Sequence, residues 1–241
     1  MLDVGSALVP KILRTTFNGI KSSADMALNE QIRQTVISVP NHIDDDMRVT
    51  IERAAKLAGY SPTISNLEDP SLKHTDAVGL AYSLDVPEAL GRISVLVDYN
   101  EGSLEFWIVN NGMVGKPKGH VIFPELGVLA IVDEAADMYF LTVQRRIENS
   151  LRKHLVDGDG KPVGLRAVVL AGDASKKGMD VMKDVLVMVF EGLGYEGALG
   201  LVKDSVDTLY VGAVGAAMRG RDMVREPERF ARKASGGHGE L

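Results

Sequence analysis

Cysteine is absent from all 241 residues, which excludes disulfides and thiolate metal sites and fits a reducing compartment. No apolar run approaches the ~20 residues that a bilayer-spanning helix needs. The first residues, Met1-Leu2-Asp3-Val4-Gly5, lack the basic-then-apolar pattern of a signal peptide. Basic excess is missing as well. The net charge of −6 argues against a general nucleic-acid binder, which carries a basic face, although an acidic protein can still hold a nucleotide in a locally positive site. There is no internal repeat at a short fixed period. Apolar residues, by contrast, make up 45% of the chain, enough for a core and too many for a disordered protein. The expectation is a soluble, cytoplasmic protein of one large domain or two smaller lobes.

The hydrophobic patterning alternates between helix and strand. Ile12, Leu13, Phe17, Ile20, Ala24, Ala27 and Leu28 form a helical stripe over residues 10–30. Thr35–Val39 reads as a short β-branched strand stopped by Pro40. Asp44, Asp45 and Asp46 offer caps and favourable charge to a helix that runs to about Ala58 and stops at Gly59. Residues 61–75 read as loop and Asp76–Leu84 as a small-residue helix. Ile93–Asp98 and Leu104–Val109 read as strands, Asn111-Gly112 as a hairpin turn, and Met113–Ile122 as further strand. A long helix is expected over Leu126–Leu155, a loop over Val156–Gly164, a strand over Ala167–Ala171, a helix over Gly178–Gly192, a weak strand over Leu199–Lys203 and a last helix over Val206–Met223. The glycine-rich tail, Ala234–Leu241, is expected to be disordered. Such alternation predicts a mixed sheet flanked by helices, with a natural break near residues 86–92.

The chemistry concentrates at Val95–Phe106, V-L-V-D-Y-N-E-G-S-L-E-F. A buried run ends in Asp98, where an acid needs a reason to stand, and a tight turn with Gly102 and Ser103 follows. The hairpin tip can place Asp98, through water, on magnesium, and offer backbone N–H groups and the Ser103 hydroxyl to phosphate oxygens. A turn aspartate that merely caps the hairpin is the competing reading. Glu101 opposes the phosphate reading, since a like charge about 4 Å away costs about 4 kcal/mol at an effective dielectric of ~20.

Other motifs have simpler readings. Gly192-x-Gly194-x-x-Gly197 matches a dinucleotide fingerprint, but Val181, Val185, Met188 and Val189 before it fit a helix face rather than a strand, and no clear ribose acid follows at the required spacing. Asp157-Gly158-Asp159-Gly160 fails the calcium-loop spacing at Lys161. Gly212, Gly215, Ala216 and Ala217 suit close helix packing. Arg219, Arg221, Arg225, Arg229 and Arg232 read as a solvated face that a partner could dock against. The five histidines show no metal-ligand spacing.

Five segments, in order, resemble the ATPase domain of the seventy-kilodalton heat-shock chaperones, within the actin-like ATPase superfamily. Val36-Ile37-Ser38-Val39-Pro40 followed by Arg48 and Ala54-Ala55-Lys56-Leu57-Ala58-Gly59 resembles V-I-T-V-P…R…A-A-x-x-A-G. Ala77–Asp85 resembles A-A-A-I-A-Y-G-L-D, and Asp98–Glu105, D-Y-N-E-G-S-L-E, resembles the phosphate loop D-L-G-G-G-T-F-D. Val168–Ser175, V-V-L-A-G-D-A-S, resembles V-V-L-V-G-G-S-T, and Val211–Ala217 resembles the helix that closes the domain. The resemblance implies a reduced actin-like ATPase (ribonuclease H-like) α/β fold, with an incomplete first lobe at residues 1–90, a second lobe at 91–233 and the tail at 234–241. It also implies ATP or ADP with Mg as ligand, and adenine or ribose contacts at Gly172, Asp173 and Ser175.

The departures from the family shape the functional expectation. Two of the phosphate loop's three glycines are replaced, one by a carboxylate. No glycine-rich first phosphate hairpin precedes residue 10, and the lysine associated with that half has no counterpart. The family's catalytic N-E-P aligns either with His74 or, across an insertion, with Asp69-Pro70. The adenine-clamping lobe and the peptide-binding domain also lack counterparts. The expected function is therefore a degenerate nucleotide-binding or non-catalytic interaction module with a protein partner. The alternative is a slowly hydrolysing ATPase using Asp98 and Asp69. A third reading is a truncated gene product, which would expose a sheet edge able to pair with a second copy.

Overall fold

A computed structural model describes residues 4–31, 36–39, 43–60, 71–84, 93–110, 117–127 and 136–225. The chain divides into two compact units, one of residues up to Ala77 together with those from Ala216 on, the other Val78–Gly215.

The first unit contains α1 (Val4–Leu28), β1 (Ile37–Val39), α2 (Asp45–Leu57) and β2 (Ser71–Lys73). α2 starts where its acids predict. The Asp44 carboxylate accepts from the Met47 N–H at 2.8 Å, and Asp45 and Asp46 occupy the first turn, beside the helix's positive end. It stops at Ala58, and Gly59 follows at φ +85°, a left-handed conformation that glycine adopts without a Cβ penalty. Ala55, Ala58 and Tyr60 form a small core with Phe17 and Ile37, in which the Phe17 and Tyr60 rings meet edge to face at 6.1 Å. β1 and β2 pair in parallel, Ile37 opposite Ser71 and Val39 opposite Lys73, so α2 is the crossover between them. β2 corrects the loop expected over 61–75. Ser71-Leu72-Lys73 has no β-branched residue, and its strand character comes from pairing with β1 rather than from propensity.

The second unit is built on a five-stranded sheet in the order β5-β4-β3-β6-β7. Its strands are β3 (Ile93–Tyr99), β4 (Leu104–Asn110), β5 (Pro117–Phe123), β6 (Leu165–Ala171) and β7 (Val202–Lys203). β3, β4 and β5 form an antiparallel meander, while β6 runs parallel to β3 and β7 parallel to β6. α4 (Ala136–Leu155) and α5 (Lys176–Gly192) share one face with Val95, Val97, Tyr99, Phe106, Ile108, Val168 and Leu170. On the other face Leu96, Trp107, Val109, Val169 and Ala171 meet Val78, Leu84 and Val211, the first and last of these belonging to α3 (His74–Ala81) and α6 (Val211–Arg225). This is the mixed α/β architecture expected of an actin-like ATPase fold.

The first helix starts at Val4 and the small-residue helix spans His74–Ala81 rather than Asp76–Leu84; three further differences have a local cause. Leu126 is not helical; it is buried beside Phe123, to whose carbonyl its N–H donates at 3.2 Å. The last helix begins at Val211, not Val206. The Val206 N–H is taken by the Tyr82 hydroxyl at 3.1 Å and the Leu209 N–H by the Asp207 carboxylate at 3.0 Å, side-chain bonds that compete with helix formation. Most of the weak strand at Leu199–Lys203 is a 3-10 turn, Ala198–Leu201, that leaves β7 only two residues long. Asp69-Pro70, residues 86–92, Asn111-Gly112, Arg229, Arg232 and the 234–241 tail lie outside the described residues. No helix among the described residues is long and apolar enough to cross a membrane.

Candidate functional site

The carboxyl ends of β3 and β6, where ligands bind in open α/β sheets, carry most of the residues singled out from sequence. Asp98 lies opposite Glu105 of β4 on one side and Ala171 of β6 on the other. Directly opposed residues share a sheet face, so the two carboxylates project together on the face of Leu96 and Trp107. Both are part-buried. Glu105 also accepts from the His120 Nε2–H at 3.1 Å, and the His120 ring lies flat on Trp107, with centroids 3.7 Å apart and planes 12° from parallel. Sequence reading missed Glu105 as a site residue. The signal was its place seven residues after Asp98 across a tight hairpin.

The hairpin tip is Asn100–Ser103, closed by the Asn100 N–H donating to the Ser103 carbonyl at 2.9 Å. Glu101 and Gly102 are exposed, and a Cβ placed on Gly102 would meet nothing within 4 Å. Two other backbones press against this hairpin. A Cβ on Gly127 would fall 2.4 Å from the Glu101 carbonyl oxygen and 2.6 Å from the Ser103 nitrogen, a close approach that only glycine permits. Gly172, at φ +123°, would place a Cβ 2.1 Å from the Tyr99 carbonyl oxygen. Gly127 follows a turn held by a Glu125–Arg146 ion pair, with the Arg146 guanidinium 5.5 Å from the centre of the Phe123 ring.

The turn after β6 is bonded to the hairpin at three points. The Ala174 N–H donates to the Tyr99 carbonyl at 3.2 Å. The Asp173 N–H donates to the Asn100 side-chain oxygen at 3.3 Å, and the Asp173 carboxylate accepts from the Glu101 N–H at 3.0 Å. Ser175 caps α5, its Oγ accepting from the Gly178 N–H at 3.2 Å, as Ser/Thr caps do. The structure thus gathers Asp98, Gly102, Ser103, Gly172, Asp173 and Ser175 around one end of the sheet. Asp69, the other candidate acid, lies outside the described residues.

The simpler readings of the remaining motifs fit their surroundings. Val185–Phe190 is helical, within α5, and Asp157 closes its own turn by accepting from the Asp159 and Lys161 N–H groups at 3.0 and 2.9 Å. Gly212 and Gly215 are part of α6. Among the described residues no group of three or more histidine, aspartate or glutamate side chains is placed to hold a metal ion.

The match to a known family includes the hairpin within a longer stretch. Residues 7–113 match the family model described as Hsp70 protein. Over 93 residues the sequence is 31% identical to chaperone protein DnaK of Methanothermobacter thermautotrophicus. Residues 7–113 are thus similar to that family. The aligned stretch covers 39% of this chain and 14% of that relative, so it spans about a seventh of the relative's length. The Hsp70-like region includes Asp98, Gly102, Ser103 and Glu105, whereas Gly172, Asp173 and Ser175 come later in the chain and are brought to it by the fold.

Proposed function

We propose that the second unit is a chaperone-like ATPase-domain module whose hairpin faces the phosphates of a magnesium-bound adenine nucleotide, and that it binds the nucleotide without useful hydrolysis. The observation that carries this is the opposed, part-buried pair Asp98 and Glu105, set beside an exposed tip on the sheet face opposite α4 and α5. Two carboxylates suit Mg²⁺, a hard cation that keeps several waters and takes its other ligands from phosphate. Bound there, the ion would neutralise phosphate charge. The chain's own contributions are the Asp98 and Glu105 carboxylates toward metal-bound water, the Ser103 hydroxyl and the Gly102 backbone toward phosphate oxygens, and the Gly172–Ser175 turn toward the nucleoside. The Glu101 and Asp173 carboxylates add negative charge beside the tip. Phosphoryl transfer depends on positioning and charge neutralisation, so this excess favours a binding and partner-signalling role over turnover. A slowly hydrolysing ATPase is the second reading, favoured by the retention of a carboxylate at both ends of the hairpin.

The test is calorimetric titration with Mg-ATP and Mg-ADP of the natural chain and of an Asp98→Ala, Ser103→Ala variant. The expected outcome is micromolar binding to the natural chain that the double substitution removes, with both proteins releasing phosphate from ATP equally slowly. Turnover that the double substitution abolishes would favour the ATPase instead. Absence of heat at millimolar nucleotide would retire the site and turn the search to protein partners.

A further inference from the structure

One backbone donor at the hairpin tip, the Glu101 N–H, already has an anion on it. The Glu101 N–H points at the Asp173 carboxylate, 3.0 Å away, and Asp173 is itself held by its own N–H on the Asn100 side chain. Gly172 permits this docking, because its φ of +123° and missing Cβ let the turn lie directly against the Tyr99 carbonyl. A carboxylate on a backbone N–H is a charge-assisted bond, stronger than a neutral one, and its oxygens resemble phosphate oxygens in charge and in acceptor geometry. We propose that Asp173 is a built-in competitor for the hairpin's oxyanion site: it occupies the Glu101 amide, and a phosphate or phosphoanhydride gains full use of the tip only when that carboxylate is displaced or neutralised. The inference rests on the hairpin facing phosphates, as proposed above, and adds what sets its affinity.

Asp173 acts in two ways. It takes a donor that an incoming phosphate oxygen would use, and it places a like charge beside that oxygen, a repulsion that weakens steeply with distance and dielectric. Asp173→Asn separates these, since the amide keeps an acceptor oxygen for the Glu101 N–H and loses the charge. Asp173→Ala removes both. Asp173 is exposed in a turn, so neither change opens a cavity.

Inorganic pyrophosphate and Mg-ADP, titrated into the full chain and followed by the Glu101 amide resonance, test the idea. In the natural chain that resonance should move little. In Asp173→Ala it should shift with saturation, with affinity tightened by about tenfold or more, and Asp173→Asn should fall between the two. Asp157→Asn, which removes a carboxylate that closes an unrelated turn, should leave affinity unchanged. If Asp173→Ala binds no tighter than the natural chain while the natural chain still binds Mg-ADP in a manner sensitive to Asp98 and Ser103, the competitor role is wrong and the site reading stands. If neither the natural chain nor either Asp173 variant binds pyrophosphate or Mg-ADP, both fall together.

Discussion

On one face of the five-stranded sheet, Val95, Val97, Tyr99, Phe106, Ile108 and Leu170 run unbroken into Ile147, Leu151, Leu186, Val189 and Phe190 of α4 and α5. On the other face, the same strands pack apolar Leu96, Trp107, Val109 and Val169 against Val78, Leu84 and Val211, but next to the hairpin they present Asp98 and Glu105. Because side chains alternate faces along a strand, one strand can serve both purposes, sealing one side while it presents charge on the other. The contrast teaches where each property resides. The larger share of stability rests on the face against α4 and α5, the closed face, which holds the larger buried cluster, since burial of large apolar side chains dominates folding. Binding chemistry rests at the hairpin end of the opposite face, where Asp98 and Glu105 are only part-buried and a carboxylate can remain hydrated or paired and avoid the cost of burial without a partner.

Breaking the closed face should have the largest effect. Phe190 is fully buried and meets Tyr195 edge to face at 5.9 Å. Phe190→Ala should cost about 4 kcal/mol, read as a lower urea midpoint, while the nucleotide affinity of the fraction that remains folded stays unchanged. Next comes the join between the faces. Gly172→Ala imposes a Cβ 2.1 Å from the Tyr99 carbonyl at a φ of +123°, so the turn must withdraw from the hairpin. The expected cost is about 3 kcal/mol, at the upper end for local backbone strain. Unlike Phe190→Ala, this change should also release the Glu101 amide, seen as faster hydrogen exchange at that one position. Equal exchange in both variants would mean that the turn and the hairpin are not coupled as the hydrogen bonds indicate.

How much of this could be read from the chain depends on whether the signal was local. The helix cap at Asp44, the hairpin at Asp98–Leu104 and the helical nature of Val185–Phe190 are set by residues within a few positions of one another, and each stands where its pattern put it. β2 depends on pairing with β1, more than thirty positions earlier in the chain, and Ser71-Leu72-Lys73 holds no trace of that partner. Gly127 was silent for a similar reason. What it avoids is the Glu101–Ser103 backbone, a neighbour that only the completed meander supplies. The candidate residues were legible as two separate clusters, Asp98–Ser103 and Gly172–Ser175; the bond from the Glu101 N–H to Asp173 that unites them was not.

A smaller effect sharpens the contrast from the hairpin end of the opposite face. Asp98 and Glu105 are directly opposed, and like charges in that position destabilise a sheet by a few tenths of a kcal/mol to about 1 kcal/mol. Glu105→Gln removes one charge and keeps an acceptor for His120. Stability should rise by about 0.5 kcal/mol, and Mg-ADP affinity should fall, the exchange of stability for function expected where a site holds unfavourable charges. A loss of stability instead would assign Glu105 to the structural pairing with His120 and take it out of the site.

The smallest effect belongs to His154, on the closed face in the last turn of α4. Its ring packs on Gly119 of β5, where a Cβ would lie 2.6 Å from Cε1. Burial first, then the neighbouring Lys153 and Lys118, hold its pKa below the ordinary 6.5. The helix's negative end pulls the other way, and the net shift remains downward. The unfolded chain therefore takes up this proton at a higher pH than the folded chain does. Stability from this source is complete above about 6.5 and is lost as pH falls through the lower, folded pKa. His154→Gln, which cannot titrate, should flatten that part of the urea-midpoint profile between about pH 5 and about pH 8. Its Mg-ADP affinity should match the natural chain's at every pH in that range, because the ring lies on the face away from Asp98. A nucleotide affinity that moved with His154 would show that the two faces communicate, and the separation of stability from binding would have to be abandoned.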